Sequence, residues 1–131
     1  MSAYQLVLAC PRRVERVDAV ESFVGTDASG RFGILAGRAP LVTVLRFGLA
    51  RFRQAGSERW RFLALPGGAL QFDAGRLSIA CRHFTVGDDA AALLADLTAE
   101  ARREDARRAD LRHNLDRFER MLMRRLWEIE R

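Results

Sequence analysis

Apolar positions alternate or run in short stretches as far as residue 87, and then their period changes. Tyr4–Cys10 is a β-branched and apolar run that stops at Pro11. Val14, Val17, Val20, Phe23 and Val24 predict a second, irregular strand that ends at Gly25. Further strands are predicted over 32–36, 41–45, 50–53, 59–65, 69–72 and 76–84. Turn residues separate them: Asp27-Ala28-Ser29-Gly30, Gln54-Ala55-Gly56-Ser57-Glu58, Pro66-Gly67-Gly68 and Asp73-Ala74-Gly75. Turns at such regular spacing predict an all-β sandwich or barrel of antiparallel strands, with no helix needed before residue 88.

Beyond Gly87 there is no glycine or proline, and Ala, Leu, Arg and Glu dominate, which predicts helix. Asp88 or Asp89 suits the N-cap. Leu111, Leu115, Phe118, Leu122, Leu126 and Ile129 fall on one helical face, and Leu93, Leu94, Leu97 and Ala101 form a shorter stripe upstream. The charged stretch 102–110 separates the two stripes. One straight helix over 88–131 would be about 66 Å long, so an antiparallel hairpin folding back near 103–108, with the stripes burying each other, is expected. A sandwich domain of 1–87 and a helical domain of 88–131 follow.

Gly30-Arg31-Phe32-Gly33-Ile34-Leu35-Ala36-Gly37-Arg38-Ala39-Pro40-Leu41 carries more backbone specification than an ordinary strand needs. Glycine inside a strand marks a bulge, a bend or the close approach of another backbone, and proline is confined to a strand start or an exposed edge. Two readings stand: a structural corner between strands, or a loop held in one shape so that it can touch something.

The 131 residues suffice for one ordinary domain, or a small domain with an appendage. The net charge of +5 is carried unevenly: 12 Arg against 6 acids lie in 1–87, and 10 Arg against 11 acids in 88–131. The basic first part suits anionic partners. All 22 basic residues are arginine. No apolar run approaches the ~20 residues of a bilayer span, so no membrane insertion is expected. The short run Leu6–Cys10 lacks a basic region before it, so a secretory leader is not expected either. Cys10 and Cys81 sit in apolar, strand-like surroundings without metal-ligand spacing, which predicts buried free thiols and no metal site.

No catalytic constellation emerges. His83 and His113 lie in different parts of the chain, with no cluster of Ser, Cys or carboxylates around either. Gly67-Gly68 and Gly30-x-x-Gly33 open no helix and are not phosphate loops. Arg51-Phe52-Arg53 and Arg59-Trp60-Arg61-Phe62 look like stacking platforms for single-stranded nucleic acid. Strand alternation, however, is expected to turn Phe52, Trp60 and Phe62 inward and the arginines outward, so nucleic acid is not an expected partner. Met121, Met123 and Trp127 give the end of the helical stripe a partner-binding character.

The order of residues from Gly30 to Leu41 resembles the epsilon subunit of bacterial F-type ATP synthases, whose pattern is glycine, two residues, glycine, Ile or Leu, two residues, glycine, His, Ala, Pro, Leu. Leu45–Gly48, Pro66-Gly67-Gly68 with Leu70, and Arg76–Cys81 are similar to further landmarks of that family, and 88–131 agrees in length and character. The resemblance implies a non-catalytic central-stalk subunit, peripheral to the cytoplasmic face of the bacterial inner membrane. Its implied partners are the gamma subunit and the membrane rotor ring. Contacts are expected at Arg31, Phe32, Gly37, Arg38, Ala39 and Pro40. It also implies a tail that meets the catalytic alpha and beta subunits and restrains hydrolysis through Leu115, Arg117, Phe118, Arg120, Leu122, Arg124, Arg125 and Leu126.

Two departures matter. Arg38 stands where the family has histidine, placing a permanent cation at the corner. Asp89 is followed by Ala90-Ala91-Ala92-Leu93, without the arginine that accompanies ATP binding in many relatives, so no regulatory ATP and no cofactor is expected. The arginine-rich tail is similar to a divergent branch, the alternate F-type ATPases associated with sodium ions. The other reading is a free-standing sandwich-and-helix adaptor with no affinity for gamma.

Overall fold

A computed structural model describes residues 3–129. The first nine elements are strands: β1 (Tyr4–Cys10), β2 (Arg13–Asp27), β3 (Gly30–Leu35), β4 (Leu41–Leu45), β5 (Gly48–Gln54), β6 (Arg61–Leu65), β7 (Gly68–Asp73), β8 (Arg76–Cys81) and β9 (Thr85–Gly87). They hydrogen-bond in the order β4-β7-β8-β1-β2-β5-β6-β9, with β3 on β2. All pairs are antiparallel except β1 with β8, which run parallel with Leu6 opposite Leu77.

The second strand makes this a sandwich. It runs 15 residues, past the end predicted at Gly25, because its first half pairs with β1 and its second half with β3 and β5. The changeover is a bend at Ala19, which adopts a left-handed φ of 56°, with a register shift between Val20 and Ser22. Such an irregularity lets one strand leave one layer and enter the other. Ala55 N–H donates to the Ala19 carbonyl (2.7 Å), which holds the bend against the β5–β6 hairpin.

Between the layers lie Tyr4, Leu6, Leu8, Val20, Phe23, Ile34, Phe52, Leu63, Leu65, Leu70, Phe72, Leu77 and Ile79, all buried. Tyr4 is the polar member. Its hydroxyl donates to the Ile34 carbonyl (2.6 Å), and burial pushes the phenol far above its ordinary pKa. A buried phenol of this kind stays neutral and needs that acceptor.

The strand predicted over 76–84 is interrupted. It stops at Cys81, and residues 85–87 form a separate strand because β9 leaves β8 to pair with β6, with Phe62 opposite Gly87. In the same hairpin Arg59 and Trp60 precede β6 instead of opening it.

The final element, α1 (Ala90–Ile129), is one uninterrupted helix of 40 residues, about 60 Å at 1.5 Å per residue, and not the expected hairpin. Nothing between 102 and 110 breaks a helix: Arg, Ala and Glu are strong helix formers, and Glu100 pairs with Arg103 at 2.7 Å across one turn. Asp89 is the N-cap, its Oδ1 accepting from Ala92 N–H (3.1 Å), while Asp88 pairs with Arg59 and Arg61. The upstream stripe finds the sandwich instead of the downstream stripe. Leu93 and Leu97 are buried with Ala64 and pack against Leu49 and Phe62. Two compact units result, dividing between Leu97 and Thr98.

Candidate functional site

The glycine corner joins β3 to β4, and both are edge strands: β3 pairs with β2, β4 with β7. Gly37 has φ of 85°, which an L-residue adopts at a cost of roughly 1–2 kcal/mol, and Arg38 N–H returns to the Leu35 carbonyl (3.3 Å). Pro40 precedes β4, where its missing N–H costs the ladder nothing. Gly37, Arg38, Ala39 and Pro40 are all exposed.

Gly33 differs from Gly37. Its φ is ordinary, and a β-carbon there would meet only the Phe23 carbonyl oxygen, at 3.7 Å, an ordinary contact. Nothing within the fold demands glycine at this position. It lies exposed on β3 between outward-facing Arg31 and Leu35, and it flattens that edge so that another backbone could come close.

The far end of β3 from the corner is held by Asp27. This carboxylate accepts from Ser29 N–H (2.9 Å), Ser29 Oγ and Thr43 Oγ1 (2.7 Å), tying the β2–β3 turn to β4. The hydrogen bonds from Ser29 and Thr43 hold its pKa below the ordinary carboxylate value. Because the folded value is depressed, the network stabilises this link between the turn and β4 above the ordinary value and is lost as pH falls through the lowered one. Thr43→Val is expected to bring the Asp27 carboxyl upward, and an NMR titration of the side-chain carbon reads that shift.

Along the two edges, large apolar side chains face outward: Leu35 is 62% exposed, Val42 76% and Val44 68%, with Phe47 exposed after β4. In a single chain such an edge invites pairing or aggregation and marks an interaction surface. A cleft of about 220 Å³ beside β3 has Val24, Thr26, Leu49 and Phe62 in its lining, with Arg31 and Arg51 as its ionisable groups. Guanidinium groups stay protonated, so the cleft offers positive charge and no general acid or base.

The family model described as the ATP synthase delta/epsilon chain, beta-sandwich domain, matches residues 3–87. The chain belongs to this family. It is 43% identical over 95 residues to the ATP synthase epsilon chain 2 of Cereibacter sphaeroides, covering 70% of this chain and 64% of that protein. It is 41% identical over 92 residues to the epsilon chain 2 of Paraburkholderia xenovorans, covering 69% and 66%. The chain thus spans just under two thirds of the length of these relatives. Among solved structures, a chain of the Euglena gracilis mitochondrial ATP synthase OSCP/F1/c-ring assembly superposes with a TM-score of 0.60 at 18% identity, over 66% of this chain and 54% of that one. A chain of the Tetrahymena thermophila central stalk and c-ring assembly gives 0.50 at 14%, over 62% and 64%. These two likenesses concern the fold.

Within the family's glycine pattern, Arg31, Gly37, Arg38, Ala39 and Pro40 are each exposed, Arg31 near the start of β3 and the other four at the corner, while Phe32 packs half-buried against the core. The sequence reading missed Leu35, Val42 and Val44. The available signal was that Leu41–Leu45 is apolar at both alternating sets of positions, so one set had to face out.

Phe52 turns inward as expected, but Trp60 and Phe62 do not join it. Arg51 pairs with Phe62 and Phe52 with Arg61, and cross-strand partners share a face. Phe52 therefore enters the core, whereas Trp60 lies beside Arg51 and Arg53, whose guanidinium carbons sit 4.4 and 5.5 Å from its ring centre. In the helix, Leu115, Arg117, Phe118, Arg120, Leu122, Arg124, Arg125 and Leu126 are all exposed, as are Leu111, Met121, Met123 and Trp127. No described helix is long and apolar enough to cross a membrane. Among the described residues no group of three or more His, Cys, Asp and Glu could hold a metal.

Proposed function

We propose that the chain is a non-catalytic rotor subunit of an F-type ATP synthase, docking its sandwich on the gamma subunit and the membrane rotor ring. The observation that carries the reading is the apolar outward face of the two edge strands at the family's glycine corner. Membership of the delta/epsilon family and the central-stalk assemblies in which similarly folded chains sit support it. Arg31, Gly37, Arg38, Ala39 and Pro40 form the polar and backbone part of this contact, Leu35, Val42 and Val44 the apolar part, with Phe32 behind them as support. Arg38, fixed by the Gly37 turn, meets acidic groups of a partner.

The helix acts on the catalytic alpha and beta subunits. Its exposed stripe from Leu111 to Ile129, with Arg117, Arg120, Arg124 and Arg125, suits a surface both apolar and acidic. As a member of a membrane-bound complex the protein is peripheral, on the cytoplasmic face of a bacterial membrane. The designation of both bacterial relatives as epsilon chain 2 supports assigning it to the alternate enzyme.

The test is reconstitution of the membrane ATPase with the full chain or with a chain lacking residues 98–131. The truncated chain is expected to co-purify with gamma and to release hydrolysis severalfold. Unchanged hydrolysis would remove the tail's regulatory role and leave the stalk role standing, and failure of both chains to bind gamma would favour a free-standing adaptor.

A further inference from the structure

The two cysteines, 71 positions apart in sequence, end neighbouring parallel strands. The β1–β8 register runs from Gln5 opposite Arg76 to Ala9 opposite Ala80, and Cys10 and Cys81 are the next residues on each strand. Alternation sends both inward. Cys10 follows Leu6 and Leu8, Cys81 follows Leu77 and Ile79, and both pack half-buried against the core as free thiols. Burial pushes the Cys81 thiol up, and the proximity of Cys10 adds to this.

Neighbouring strands lie about 4.8 Å apart, inside the 4.4–6.8 Å range of Cα separations that a disulfide bridges. On its other side Cys81 faces Gly68, which presents no side chain. The Arg13 guanidinium, held by the Phe84 carbonyl and stacked 4.1 Å above the Phe84 ring, offsets only a small part of that rise.

We infer that Cys10 and Cys81 form a reversible cross-strand disulfide by exchange with a small-molecule disulfide. One cysteine thiolate attacks the small disulfide, forming a mixed disulfide and expelling one small thiolate. The second cysteine thiolate then attacks the protein sulfur of that mixed disulfide, closing the bridge and expelling the other. The two protons lost by the cysteines end on the two small thiols. The protein dithiol is oxidised and the small disulfide reduced.

The full chain, equilibrated with mixtures of oxidised and reduced glutathione and then alkylated, is read by intact mass. The expected product has lost two hydrogens, carries neither glutathione nor alkyl groups, and yields a Cys10–Cys81 linked peptide on non-reducing digestion. Reduced glutathione in excess is expected to reverse it. In Cys10→Ser the bridged product must vanish. Two alkylated thiols at every ratio, two stable glutathione adducts, or covalent dimers would each overturn the inference, as would persistence of the bridged mass in Cys10→Ser.

Discussion

Val42→Glu with Val44→Glu is expected to leave the sandwich folded and to reduce binding to a gamma subunit roughly a thousandfold. Both side chains are more than two thirds exposed and take no part in the core, and surface changes of this kind usually move stability within about 0.5 kcal/mol. An interface anchor, by contrast, is worth about 2 kcal/mol or more, and two of them about three decades of affinity. Isothermal titration against gamma, with thermal unfolding of the free variant as control, reads both quantities. Equal affinity at equal stability would take the β4 edge out of the proposed interface and leave the corner, Arg38 above all, to carry it.

Phe52→Ala has the opposite profile. Phe52 is fully buried between the layers, on the strand that joins the β2 bend to the β5–β6 hairpin. Removing a buried phenyl costs about 3–5 kcal/mol, against the 5–15 kcal/mol that typically holds a domain together. Urea unfolding followed by circular dichroism should show a midpoint lowered by a third or more. Phe62→Ala, which alters a half-buried ring on the other face, should lower it less. A larger loss for Phe62 than for Phe52 would mean that the outer cluster with Leu93 and Leu97 contributes more than the core.

What the sequence revealed and what it hid divide along a physical line. Period, turn chemistry and capping are local, so β1, β4, the β7–β8 hairpin, the start of α1 at an aspartate cap and the family's glycine pattern were all readable in the chain. Pairing is not local. Nothing near Trp60 says that Arg51 lies opposite Phe62, and that register alone decides which aromatic faces the core. Likewise, nothing in 76–84 announces that β9 will abandon β8 for β6.

The hairpin expectation for the tail rested on the need to bury two stripes. It failed because Ala64, Leu49 and Phe62 offer Leu93 and Leu97 a place on the sandwich, and because 102–110 contains no residue that stops a helix. At the candidate site the glycines and Pro40 stood out, since conformational demands are written into residue type. Leu35, Val42 and Val44 did not, because an outward valine and an inward one look the same until the edge strands are known.

The parallel pairing of β1 with β8 sets an order of events on the ribosome. β1 lies between β2 and β8, so it can find its hairpin partner β2 early but must wait for residues 76–81 before its second edge is closed. Until then that edge carries unpaired amide and carbonyl groups flanked by Leu6 and Leu8, the kind of edge that another nascent chain can capture. Non-local closure of this kind is slow. The sandwich therefore closes only once residues 76–87 have been made, just before the helix that follows them.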